Sequence, residues 1–164
     1  MAVTSAEMLK GMHNIVRAMG EKSINSDAYF DISGHPEIGM LIKQFPWPVL
    51  GTTGEIEIAG PGGSAMWQQQ ALKVNKQGQM TFSETVNGSV HRFLKKVNKS
   101  GGKFQATVYE GVSPVRFHRA FKLIDCFFQP DDTDRDWENR SQITTISGTL
   151  FFHFYGDEIP GNII

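Results

Sequence analysis

The sequence predicts a mainly β protein, an antiparallel β-barrel or sandwich with one helix inserted between strands and another at the N-terminus. Three observations predict it. Apolar and polar residues alternate cleanly from Lys103 to Tyr109, the stretch Ser141 to Asp157 is filled with β-branched and aromatic residues, and helical spacing is confined to two segments.

The bulk properties narrow the class. A chain of 164 residues, 40% hydrophobic, suits a single domain over residues 1–164 that removes roughly 70% of its unfolded surface from water. Sixteen Lys plus Arg against seventeen Asp plus Glu leave a formal charge of −1, which is not the one-signed field of a nucleic-acid clamp or a membrane-surface binder. The lone cysteine, Cys126, excludes an internal disulfide and lies among Ile124, Phe127 and Phe128 as a buried thiol would, in keeping with a reducing compartment. The N-terminus lacks a basic start followed by a signal-length apolar run, and no stretch approaches about 18 consecutive apolar residues, so a soluble protein is expected.

From Ser5 to Met19 the residues Met8, Leu9, Met12, Ile15, Val16 and Met19 recur at spacings of three and four, with Ser5 placed to cap the start and Gly20 the end. This predicts an amphipathic helix within residues 1–20 that packs on the chain's own core, docking on a partner being the alternative. Asn25 to Ser33 reads as a strand, Gly34, His35 and Pro36 as a turn, and Met40 to Phe45 as a second extended run.

Between residues 46 and 66 the prolines and glycines permit only a brief strand at Glu55 to Ala59. A loop of that length, with Trp47, Val49 and Leu50 near its start, is of the kind that carries function. Gln68 to Asn75 and Gln79 to Val86 then read as a hairpin about Lys76, Gln77 and Gly78. Ser89 to Lys99 reads as a helix with Val90, Phe93, Leu94 and Val97 on one face and Gly101 as its stop.

Lys103 to Tyr109 should bury Phe104, Ala106 and Val108 and expose the residues between them. In Arg116 to Gln129 the apolar parity shifts near Leu123 and Ile124, which predicts a bulge or bend. An acidic loop from Asp131 to Arg140 leads to the final strand. Its first half presents Thr145, Ser147 and Thr149 as on a wet face, while Leu150 to Tyr155 is apolar on both faces and is expected to lie covered beneath the helix of Ser89 to Lys99.

No catalytic constellation stands out. Cys126 with His118 or His153 is the sharpest candidate, but the LIDCFF setting raises a thiol pKa instead of lowering it. His13, His35, His91, His118 and His153 are scattered without metal-ligand spacing. Asp132, Asp134 and Asp136 begin like a calcium loop, yet Trp137 stands where the sharp turn needs Gly and Ile143 where the bidentate Glu belongs. Gly60 to Ser64 lacks the lysine and the strand-to-helix setting of a phosphate cradle. The triplets at Asn87, Asn98 and Asn139 matter only with a secretory route.

Several segments, taken in order, carry a resemblance. They are the N-terminal helix leading to Tyr29, Phe30, Asp31 and Ile32; Phe45 to Pro48 with the Gly/Pro run after it; Met80, Phe82 and Thr85 followed by the helix around Phe93 and Leu94; and Phe121 to Pro130, an Asp/Trp loop and the aromatic-rich Ile143 to Tyr155. In this order the chain resembles the tail tube proteins of contractile-tailed bacteriophages, a family related in fold to the tube proteins of type VI secretion systems. It departs from them in continuing past Tyr155 through Gly156, Pro160 and Gly161, and in the glycine-rich Gly60 to Gly63.

The resemblance implies a virion structural protein without catalysis or cofactor. Hexameric rings, their strands joined edge to edge into one barrel, would stack into a hollow tube through which DNA passes without specific binding. The partners implied are further copies of the chain, the tail sheath, and baseplate and tape-measure proteins, with no membrane; the location implied is the virion tail, after assembly in the host cytoplasm. It implies a ring-stacking loop of Phe45, Trp47, Val49, Leu50, Gly51, Gly54, Gly60, Pro61, Gly62 and Gly63, and a lumen lined by Lys103, Gln105, Thr107, Thr145, Ser147 and Thr149. A tube-initiating or terminating ring protein is the alternative within that class. Outside it stand a small β-barrel holding an apolar ligand among Phe151, Phe152, Phe154 and Tyr155, and a hydrolase acting through Cys126.

Overall fold

The computed structural model describes Val3 and residues 5–163. Its helix α1 (Ala6–Ala18) begins where Ser5 Oγ accepts the Met8 N–H at 3.3 Å and ends at Met19, beyond which Gly20 takes φ +89°. The expected packing of its stripe on the core does not occur. No residue of α1 is buried, and Met8, Leu9, Met12, Ile15, Val16 and Met19 all stand 45–74% exposed.

The body is one antiparallel sheet with the order β1 (Tyr29–Ile32), β8 (Phe104–Ser113), β9 (Arg116–Pro130), β10 (Thr145–His153), β7 (Asn75–Ser83) and β2 (Ile42–Gln44). The path is open, not a closed barrel: among the described residues neither β1 nor β2 has a second neighbour. The predicted first strand is shorter than Asn25 to Ser33, and the turn at Gly34 runs on into a one-turn helix, α2 (Pro36–Gly39), that buries Ile38.

Strand β9 organises the sheet. Its first part pairs with β8 through Cys126, and its last part, Ile124 to Pro130, pairs with β10. Between them Asp125 adopts φ +48°, and the register with β8 jumps from Ala106↔Leu123 to Phe104↔Cys126. This is the bend that the parity shift predicts, and it turns one strand into two limbs around a common core.

The core takes alternate residues from both limbs: Phe104, Ala106 and Val108 from β8, Leu123, Cys126 and Phe128 from β9, Leu150 and Phe152 from β10, Met80 and Phe82 from β7. Helix α3 (Ser89–Lys99) closes it, burying Val90, Phe93 and Val97. The Phe93 ring lies 6.5 Å from Phe82 and 6.0 Å from Phe104, so one side chain touches both limbs.

The aromatic half of β10 differs from expectation. Leu150 and Phe152 point inward, but Phe151 points outward and stacks on Phe127 at 4.8 Å, so that face is not covered. Phe154 turns in against Phe121 at 5.7 Å. Past an irregular stretch the chain resumes alongside β9 as β11 (Glu158–Pro160), and the Asn162 side chain accepts the Phe117 N–H at 3.1 Å. Residues 157–162 thus form a strap along β9.

Residues 68–86 do not form the predicted hairpin. β7 runs straight through Lys76, Gln77 and Gly78, where a hairpin turn is predicted. Gly78 serves close approach instead of a turn: a Cβ there would collide with the Pro46 ring. The reversal lies earlier. β3 (Gly51–Thr52) pairs with β6 (Leu72–Lys73), and β4 (Glu55–Ala59) pairs with β5 (Ala65–Gln69), the two ladders being joined by Thr53 N–H to Ala71 O and Gln70 N–H to Gly54 O, each 2.9 Å. Gly62 and Gly63, at φ +66° and +78°, make the tip within a 3-10 turn at Pro61–Gly63.

Candidate assembly surfaces

The residues singled out in the Pro/Gly loop fall into two groups. Phe45 to Leu50 anchor the ribbon to the body: Phe45 lies 5.5 Å from Phe30, Trp47 meets Phe121 edge-on at 5.6 Å, and Leu50 lies beside Gly156. Gly54, Gly60, Pro61, Gly62 and Gly63 belong to the projecting ribbon, where every residue from Glu55 to Lys73 is exposed.

The ribbon carries apolar residues that the sequence reading passed over. The register Ile56↔Gln68 and Ile58↔Met66 puts Ile56, Ile58 and Met66 on one face, while Glu57↔Trp67 puts Trp67, 68% exposed, on the other with Glu55 and Glu57. Alternation in Glu55 to Ala59 and in Ala65 to Gln69 is the signal that could have found them; the hairpin expected about Gln77 hid it by claiming Gln68 and Gln69 for another strand. An exposed apolar ribbon is an edge-strand liability in a lone chain.

The outward face of the limb β2–β7–β10 and the end of β9 is built of amides and hydroxyls. Thr145 pairs with Ser83, Ser147 with Thr81, and Thr149 with Gln79 on one side and Gln129 on the other. Gln44 pairs with Thr81 from β2, and Thr81 and Ser147 share a hydrogen bond of 3.2 Å. Phe127 and Phe151 interrupt it as a stacked pair. These strand positions themselves hold no Asp, Glu, Lys or Arg, but Thr145 and Ser147 border a pocket lined by Asp131, Asp132, Asp134, Arg135 and Asp136 of the acidic loop.

Lys103, Gln105 and Thr107 belong elsewhere. Gln105 and Thr107 lie on β8, which pairs with the other part of β9, and Lys103 stands exposed before β8 begins. The two triplets therefore sit on different strands, which flank β9 on either side. Gln105 instead holds the bend: its Oε1 accepts the Asp125 N–H at 3.2 Å and its Nε2 donates to Asp125 Oδ1 at 3.1 Å.

Cys126 is fully buried, and desolvation, with Asp125 beside it, pushes its thiol up to about 12. His153 Nδ1 is engaged with Ile124 O at 3.2 Å. Among the described residues no three His, Cys, Asp or Glu side chains converge as a metal site would need. The four aromatics proposed for an apolar ligand do not line one cavity, because Phe152 and Phe154 are packed into the core while Phe151 is half-buried and Tyr155 is 57% exposed.

No family model and no curated protein sequence matches the chain. Its fold is similar to that of a chain in the sheath–tube complex of the extracellular contractile injection system PVC in the extended state. The TM-score is 0.53 at 9% identity, over 98% of this chain and 99% of that one. It is also similar to a chain of the PVC sheath/tube terminator, with TM-score 0.54 at 9% identity over 85% and 97%. A chain of the tube terminating cap of the anti-feeding prophage gives 0.52 at 8% identity over 87% and 93%. At these identities the likeness is one of fold.

Proposed function

We propose that this protein is a non-catalytic structural subunit of a contractile tail or injection particle, forming hexameric rings that stack into a tube. The observation that carries the reading is the ribbon from Gly51 to Lys73, whose residues from Glu55 to Lys73 are all exposed and include Ile56, Ile58, Met66 and Trp67, with none of the described residues burying them. Its base includes the Phe45 to Leu50 group, and its tip is Gly60 to Gly63. In this reading the ribbon docks one ring on the next.

The free edges of β1 and β2 suit strand pairing between subunits, which removes the exposed edges of an open sheet. The amide and hydroxyl face with Thr145, Ser147, Thr149, Gln77 and Gln79 suits a lumen wall. Amides and hydroxyls release no counterions from a passing nucleic acid, so DNA slides past without being held. Sheath, baseplate and tape-measure proteins are the partners this reading assigns, and the particle's tail is its location. The buried, protonated Cys126 supports a role without nucleophilic catalysis.

Negative-stain microscopy of the purified full chain tests it. Rings or tubes are expected at high concentration; a strictly monomeric particle overturns the reading. A single-ring terminator or baseplate role is favoured by one observation, the equal likeness to terminator and cap chains, and gives rings that never lengthen into tubes.

A further inference from the structure

Strand β10 leaves β9 at the pair His153↔Ile124, and β9 runs on back to Arg116 with β8 along one side. The backbone groups on its other side, between Phe117 and Lys122, would make a bare sheet edge, a template for any strand of another chain. The strap fills this gap. Lys122 N–H donates to Asp157 O at 3.2 Å, and β11 continues in the register Glu158↔Phe121, Ile159↔Ala120 and Pro160↔Arg119. Asn162 closes the end: its N–H donates to Phe117 O and its Oδ1 accepts the Phe117 N–H, each at 3.1 Å, while its Nδ2 donates to Val115 O.

Two features fit the strap to this place. A Cβ on Gly161 would collide with the backbone carbonyls of Phe117 and His118, so glycine is what lets the two backbones lie this close. The outer side of the strap is a poor template in its turn. β11 is three residues long and contains Pro160, which has no N–H to give, and short length and proline are the two commonest ways of blunting a sheet edge.

We propose that residues 157–162 are a guard strand, which occupies the β9 edge within its own chain and so denies it to a strand of a second copy. A long edge that would accept a partner is exchanged for a short one that does not. With the self-assembly reading above, on which this last step rests, the guard leaves β1 and β2 as the edges through which copies pair.

Hydrogen exchange at the Phe117 and Lys122 amides of the full chain tests this, since both are bonded to the strap. Both should exchange slowly in the wild type whatever the protein concentration. Gly161→Ala pushes the strap away, and in dilute solution both amides should exchange at least tenfold faster; at high concentration they should slow again as a second copy adds to the bared edge. Asn162→Ala removes two side-chain bonds and adds no clash, so it should open the Phe117 end by itself even where Gly161→Ala does not fold. Val97→Ala weakens the core through α3, away from the strap, and should give no concentration dependence at these amides. Fast exchange at every concentration in both strap variants overturns the proposal, because nothing then takes the edge. Exchange as slow as the wild type's in both dilute variants overturns it as well, because the strap is then not what covers the edge. Concentration-dependent protection in the variants, from a wild type that stays monomeric under negative stain, upholds the guard and removes the assembly reading.

Discussion

Glu84 caps a helix that starts five residues after it: Oε1 accepts the Val90 N–H at 3.0 Å and Oε2 the His91 N–H at 2.9 Å. Thr85 Oγ1 takes the Ser89 N–H at 3.2 Å, so the first three orphan donors of α3 are satisfied from outside the helix. Gly88, at φ +71°, has no side chain with which to do this.

Burial would raise the Glu84 carboxyl, but N–H donors from Thr85, Val90 and His91, with the His91 charge, outweigh it and hold the pKa below the usual value. A group depressed in the folded state contributes stability above the unfolded pKa of about 4.3 and loses it as pH falls through the folded pKa. Glu84→Gln should therefore cost about 1–2 kcal/mol at pH 7, read as a lowered Tm. The gap between wild type and variant should narrow below about pH 4; an equal gap at both pH values would refute the charge-based cap.

Phe93 is the one helix side chain whose ring meets both limbs of the sheet, at Phe82 and Phe104. Phe93→Ala should cost about 3–5 kcal/mol, measured by urea denaturation. A cost below about 1 kcal/mol would mean that α3 is not what closes the core.

The ribbon should be dispensable for folding. Thr53 and Ala71 are already bonded at 2.9 Å, so replacing Gly54 to Gln70 with a two-glycine turn leaves the base intact. The variant is expected to keep the far-UV circular dichroism and Tm of the body and to form no tubes under negative stain. Tubes of normal length from it would remove the ribbon from stacking.

Cys126 should resist thiol reagents. With the thiol up at about 12 and no exposure, Ellman's reagent at pH 8 should titrate close to no thiol in the native protein and one per chain in guanidinium. Rapid native reaction would reopen the nucleophile reading.

Local chemistry read well where period and caps decide. The span of α3, the alternation of β8, the bend near Leu123 and Ile124, the strand at Glu55 to Ala59 and the Ser5 and Gly20 ends of α1 follow from hydrophobic period, capping residues and glycine alone. Segments misread were those where a residue has two uses. Gly78 reads as a turn from its neighbours, but it is a strand glycine beneath Pro46, and that proline lies 32 positions away in sequence.

A mainly antiparallel β protein with a helix at the N-terminus, another between strands and a buried cysteine could be read from side-chain type and from period along the chain. Tertiary structure alone decided which amphipathic faces find cover. The stripe of α1 looks like core from its period, yet no residue of α1 is buried. It also decided that Gln105 braces Asp125, and that Thr149 stands between Gln79 and Gln129. Those contacts join residues 20 to 70 positions apart, and which strands become neighbours at that range is decided by how the whole chain packs, not by period within one segment.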